Sequence, residues 1–461
     1  MKSIKLLDSE YQNQNIDQMT DSFHEFIREM RLGPDYYNSK FISERTKQFL
    51  DNNITDDNLN KFSSLRFYWL TLVEKLLYLD SLHEELEDSD TELSLEIESD
   101  IFDFWNKSEY MQVFLELMDK RPDLVDNSLE LLPMLENQII AFYFLHIHKA
   151  NYDGPSLLYT IVPEFGDNEN FFYVGENLLE YELPNDLPIF PSLVIKSIDN
   201  SKGEITIERE DEEHTITSTN KALTLNHPIR IIPFRKNLEE NKEKIEKALN
   251  IIQTIAPKLY STFCQFTKVI IPVDDPGIVS FSMQELPGFS SLNLFNRDFV
   301  DLLDDLLHEN GHHYLNSILN HTHLINEDDE MIYYSPWRKS RRPIRGIYHA
   351  YFTFYWALLL FDKLTEENES GLNSKQLNKC RLRFCEEFLM LNYCWDDLVD
   401  AEEKGKIETQ GMEVIRPIQS HIEKLSAKFE KDFLILEGND KEEIEKLKTT
   451  LESERNKKEL L

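Results

Sequence analysis

The chain has 461 residues, 41% of them hydrophobic and 11% aromatic, which is enough for a buried core and too long for one simple core, so two or three domains are expected. Its 85 Asp and Glu against 49 Lys and Arg give a formal net charge of -36, which argues against a surface built for nucleic-acid phosphates or anionic membranes and suits a basic partner or plain solubility. Four cysteines without a CxxC pair (Cys264, Cys380, Cys385 and Cys394), no apolar leader at the start, and no uninterrupted 18-residue apolar run predict free thiols in a cytoplasmic, soluble chain.

Residues 1–150 read as a helical region. Leu65, Trp69, Leu72, Leu76 and Leu77 form a helical stripe, 84–100 is an acidic run without a base, and Pro122 suits the first turn of a helix that Pro133 breaks or kinks. His146 and His148 are two apart and do not converge on one helix face, so they read as structural. From 151 to 235 the pattern changes to a β-rich insertion, with strand candidates at 192–197, 204–208, 214–218 and 228–233 that suit antiparallel pairing. A charged amphipathic helix is expected over 236–264, with Ile245, Leu249, Ile252 and Ile255 on one side. Three short strands follow, at 269–273, 278–283 and 289–294, with Pro287 and Gly288 punctuating the last two.

The strands lead into 302–320, where Leu302, Leu303, Leu306 and Leu307 and then Tyr314, Leu315, Ile318 and Leu319 make one apolar stripe. Set into it is His308-Glu309-Asn310-Gly311-His312, an HExxH motif. Residues at i and i+4 stack on one helix face, so His308 and His312 can aim imidazole nitrogens at one metal ion with Glu309 beside them. Gly311 costs roughly 1 kcal/mol against Ala inside a helix, which predicts close packing there. His313 lies about 100° further round and reads as a packing residue or one that supports a ligand. A loop at 327–330 precedes two more helices, 346–364 and 374–402. Residues 436–461 are a charged helical tail with a thin stripe of Ile444, Leu447 and Leu451. The fold class expected is α+β, largely helical, with a small antiparallel β-rich region and short strands flanking an HExxH metal-binding helix, the catalytic domain spanning 236–435.

A second cluster lies at 333–355. Arg338, Lys339, Arg341, Arg342 and Arg345 fall within eight positions, a local reversal of charge. A guanidinium fork binds a carboxylate bidentately, so these bases suit an acidic cosubstrate near the metal, or else they pair with nearby acids such as Glu327 and Glu330. The third metal ligand is assigned to His349, 37 positions after His312 at a helix start. His321, His323, Glu386 and Glu387 are the alternatives.

The HENGHH run followed by SPWRKSRRPIRGIYHAYF resembles the HExxH-motif domain family found near peptide natural-product gene clusters. The resemblance covers residues 278–362, under a fifth of the chain, and lies in Pro336, Trp337, Arg338, Arg342, Pro343, Gly346 and His349 after the motif, and in Pro287 and Gly288 before it. It implies an iron(II)- and 2-oxoglutarate-dependent dioxygenase that hydroxylates Cβ of residues in a ribosomally made peptide, as in RiPP biosynthesis, the substrate being a precursor peptide with a leader. Under it His308, His312 and His349 hold Fe(II), one of Arg338, Arg342 and Arg345 binds the distal carboxylate of 2-oxoglutarate, and Glu309 orients a ligand or acts as a base. Two other classes compete. One is a Zn metallopeptidase with Glu309 as general base; the other is a non-enzymatic interaction protein.

Overall fold

The computed structural model describes residues 5–32, the strands between 156 and 224 and, with short breaks, 226–458. The expected helices at 62–79 and 122–133, the acidic run at 84–100, and His146 and His148 lie outside the described residues. The chain divides into two compact units. One gathers residues 1–22, 224–230 and 237–461; the other holds 23–223 and 231–236.

After α1 (Ser9–Leu32), the second unit carries β1 (Ser156–Leu157), β2 (Phe171–Val174), β3 (Leu179–Glu182), β4 (Val194–Asp199), β5 (Glu204–Arg209), β6 (Glu212–Thr217) and β7 (Asn220–Lys221). They form two sheets, ordered β1-β4-β5-β6 and β2-β3-β7. All the pairings are antiparallel, with a register shift in β4 between Ile195 and Ser197. The β-branched alternation of Ile205, Ile207, Thr215 and Thr217 produces β5 and β6 within a residue or two of the expected bounds.

The first unit holds the motif. β8 (Leu223–Thr224) and β9 (Arg230–Ile231) lead to two helices, α2 (Leu238–Ile255) and α3 (Pro257–Phe266). The single helix expected over 236–264 is therefore two. Pro257 cannot continue α2, but its fixed φ suits the first position of α3. β10 (Val269–Val273) pairs in parallel with β12 (Phe289–Asn293), and β11 (Phe281–Ser282) pairs antiparallel on the other side of β12. The sheet is thus mixed, with β9 and β8 continuing it beyond β10. Both β10 and β12 are wholly buried, which explains the unbroken VIIPV of β10; β12 instead carries buried Ser290, Ser291 and Asn293.

α4 (Phe299–Leu319) follows at once and contains the whole HExxH motif. Asp298 caps it, accepting from the Val300 and Asp301 amides while Asp301 reaches back to the Asp298 amide, a reciprocal capping box. A hairpin, β13 (Tyr333–Ser335) and β14 (Ser340–Arg342), comes next; its two strands are too short and too polar for period-2 reading. α5 (Ile344–Glu366) is apolar nearly all round and is the central helix, lying between α4 and α6 (Ser374–Glu403). Its tyrosines spend their hydroxyls on α7 (Thr409–Ile422): Tyr348 donates to the Gly411 carbonyl at 2.7 Å and Tyr351 to Gln419 Oε1 at 2.9 Å. α8 (Ser426–Ile435) and α9 (Gly438–Lys458) complete the unit. The charged tail expected at 436–461 is helical but not solvated on all sides, since Ile444 and Leu451 are buried. Among the described residues no helix is long and apolar enough to cross a membrane.

Candidate functional site

The motif helix has three working faces. One packs on the sheet and α3. The Asn310 amide donates to the Phe263 carbonyl at 3.1 Å and to Thr267 Oγ1 at 2.9 Å. His313, 2% exposed, accepts the Gly288 amide at Nδ1 (3.1 Å), so its ring proton sits on Nε2, which meets Ser290 Oγ at 3.0 Å. Burial and the neighbouring His312 hold His313 down at about 3, so the ring stays neutral. It is a tie between helix and sheet, as its position round the helix implies.

A second face carries Asp305 and Glu309 toward β11. Ser280 donates to Asp305 at 2.9 Å, and Arg297 pairs with the same carboxylate at 3.2 Å. Glu309 is 3% exposed, and burial, reinforced by Asp305 and opposed by Arg338, pushes it up to about 8. Neither Glu309 Oε2 nor Ser282 Oγ has a hydrogen-bond partner among the described residues. Glu309 is therefore a buried, neutral carboxyl facing the sheet edge at neutral pH.

The third face bears His308 and His312. Their Nε2 atoms stand 3.2 Å apart. Two nitrogens that each contact one ion at about 2.1 Å are separated by about 3.0–3.4 Å, so the pair has the spacing of two ligands of one ion. Burial, then the charge of Arg338, holds His312 at about 4; burial, His312 and Arg338 hold His308 well below its usual range. Both rings are thus neutral, with lone pairs to offer.

α5 approaches this face closely because of Gly311. A Cβ there would lie 2.6 Å from Trp356 Cδ1 and 3.0 Å from Thr353 Cα. That approach brings His349, on the first turns of α5, to 6.0 Å from His312 between ring centres. His349 Nε2 is buried and has no partner among the described residues, and burial with the charges of His312 and Arg345 holds the ring at about 3. Still, among the described residues no three His, Cys, Asp or Glu side chains form a closed metal-binding group. His308 and His312 are brought together, and His349 stands beside them without meeting them.

The alternatives for a third ligand are engaged elsewhere. His321 bonds Thr322, and His323 bonds Asn326. Glu386 pairs with Arg383 at 3.4 Å, and Glu387 accepts the Trp337 indole N–H at 2.9 Å. Of the basic cluster, Arg341 donates to the Ile332 carbonyl at 2.8 Å, Arg342 lies over Gly346, and the charge of Arg345 is felt at His349. Arg338, at the tip of the hairpin, is the one whose charge reaches His308, Glu309 and His312 alike. Its guanidinium makes no ion pair among the described residues.

Behind the site the fold brings together two acids that the sequence does not join. Asp304 and Glu387 are both buried and each keeps one carboxyl oxygen without a partner among the described residues. Arg383 lies 3.9 Å from Asp304 and 3.3 Å from Asp301, and its charge is felt at Glu387. Asp304, four residues before His308 on the helix, sits off the leucine stripe and so reads locally as one more polar-face acid. No protein-family model and no curated protein matches the chain.

Proposed function

We propose that the chain is an iron(II)- and 2-oxoglutarate-dependent hydroxylase acting on Cβ of a residue in a peptide. The observation that carries the reading is Arg338: an arginine without an acid partner among the described residues, exposed at a hairpin tip, whose charge is felt at both motif histidines. Hydrolysis requires no dicarboxylate cosubstrate, whereas a dicarboxylate that chelates a metal at one end is well held by a guanidinium at the other.

The donor types suit a metal, two of them already at ligand spacing and the third beside them. His308 and His312 would hold it through Nε2, and His349, whose Nε2 is buried and unpartnered among the described residues, would complete the set. Imidazole suits iron as well as zinc. Iron bound there supplies the oxidative chemistry, in which O₂ and 2-oxoglutarate yield a hydroxylated Cβ, succinate and CO₂. The chain's own residues do the rest. Arg338 holds the distal carboxylate and orients the cosubstrate. His313 fixes the helix against the sheet so that the two motif rings keep their spacing. Glu309, buried next to His308 in the chain, would orient a ligand.

Anaerobic purification with metal analysis, followed by a succinate assay with iron, ascorbate, 2-oxoglutarate and candidate peptides, tests the proposal. Succinate formation that depends on peptide supports it. Peptide cleavage with zinc and no succinate would overturn it in favour of a metallopeptidase, and neither activity would leave the interaction-protein reading.

A further inference from the structure

We infer that Glu387 is a positioning residue of this site: it fixes Trp337, and through Trp337 the turn that presents Arg338 to the motif histidines. For the cosubstrate this rests on the role proposed above for Arg338; for the turn it rests on geometry alone.

The hairpin has little to hold itself. Its strands have three residues each, below what an isolated hairpin needs to persist in water. Its tip runs through Trp337, Arg338 and Lys339, and Lys339 takes φ 51, a left-handed conformation that a lysine adopts only when its surroundings impose it. Two contacts within the hairpin help: the Arg338 amide donates to Ser335 Oγ at 3.4 Å, and Arg341 staples the base through the Ile332 carbonyl. Neither reaches outside the hairpin to set where its tip points.

Trp337 does. Its indole N–H donates to Glu387 Oε2 on α6 at 2.9 Å. Its ring stacks on Phe354 of α5, 4.5 Å between centres and 3° from parallel. Phe354 in turn packs on His308 at 4.2 Å. One indole therefore ties the tip to two helices and, through Phe354, to a motif histidine, while the next residue in the chain is Arg338. Glu387 suits the task because it is itself immobile. It is 0% exposed and sits beside the Arg383 and Asp304 network. A wholly buried carboxyl is costly unless its hydrogen bonds are worth keeping, and the indole is the partner it has.

The test uses the full-length protein and three variants, Glu387→Gln, Glu387→Leu and Trp337→Phe. Glutamine keeps an oxygen for the indole, leucine removes it, and phenylalanine keeps the stack but loses the donor. Amide hydrogen exchange over 333–342 in the metal-free protein reads the turn without reference to any activity. We expect exchange there to quicken about 10-fold in Glu387→Leu and Trp337→Phe, the scale of one lost hydrogen bond, with α4 still protected and Glu387→Gln close to wild type. If the hairpin exchanges at the wild-type rate in Trp337→Phe, which retains the core packing, the inference is wrong. A second readout is 2-oxoglutarate affinity of the iron-loaded protein, expected to fall about 10-fold in the same two variants while iron affinity changes by less than about 3-fold. Wild-type protein that binds no 2-oxoglutarate, with the exchange pattern as expected, would sink the role of Arg338 and leave the positioning of the turn intact.

Discussion

Replacing Gly311 by Ala probes the contact that brings α5 to the motif. The added Cβ would lie 2.6 Å from Trp356 Cδ1 and 3.0 Å from Thr353 Cα. Trp356 is 1% exposed and cannot swing away, and the second contact is backbone. Restoring an ordinary separation of about 3.5 Å to the indole requires about 0.9 Å of movement between α4 and α5. Overpacking of this kind costs about 1–3 kcal/mol, and alanine returns roughly 1 kcal/mol of helix propensity. The expected net loss is thus at most about 2 kcal/mol, seen as a lower urea midpoint with an unchanged slope. The same movement displaces His349 from His312 by several times the roughly 0.2 Å tolerance of a metal–ligand distance, so metal affinity should fall as well. Trp356→Phe gives the control. Its indole N–H has no partner among the described residues, so the single variant should be mild, and in the double variant the two losses should not add. A Gly311→Ala protein as stable as wild type, with unaltered metal affinity, would refute the close-contact argument.

Three further outcomes are expected. His308→Ala and His312→Ala should each abolish stoichiometric metal binding measured by elemental analysis after dialysis, while His349→Ala weakens it by at least about 10-fold with the fold retained by circular dichroism. Arg338→Ala should raise the 2-oxoglutarate requirement about 30-fold or more, the equivalent of about 2 kcal/mol, with metal content unchanged, and Arg338→Lys should recover little of it because a point charge does not replace the fork. Burial pushes Asp304 up to about 7, opposed by Arg383, so its contribution to stability is present in full below about pH 4 and lost as pH rises through about 7. Asp304→Asn should therefore gain on wild type as pH rises across that window; urea midpoints that differ equally at pH 5 and pH 8 would contradict this.

The sequence showed the parts of the fold that are local. The leucine stripe and HExxH spacing locate α4, and the apolar runs locate β10 and β12, because period and length are written in neighbouring residues. Pro257 carried a break between α2 and α3 that amphipathic periodicity concealed. α7 was missed altogether, and Pro417 in its interior argues locally against a helix; tertiary packing of its buried Met412, Ile415 and Ile418 overrides it. In the site, the pairing of His308 with His312 follows from one helical turn. The Trp337–Glu387 bond and the Asp304–Glu387 neighbourhood do not, since each joins residues 50 or more positions apart on different elements. Arg338, Arg342 and Arg345 cannot be told apart locally, because all three are the same residue type in one short run.

The Tyr314 hydroxyl donates to the Leu6 carbonyl at 3.1 Å, across 308 residues of sequence, and Gln12 donates to Thr262 at 2.7 Å across 250. A ribosome adding about 5–20 residues per second takes about 15–60 s to cover the first of these separations. Residues 5–19 therefore emerge long before the helix they brace exists, and must stay unclaimed until it does. Closing so large a loop delays completion of the unit in proportion to how non-local its contacts are. The motif helix thus acquires its last support late in folding, and the nascent chain is exposed to off-pathway association for that interval.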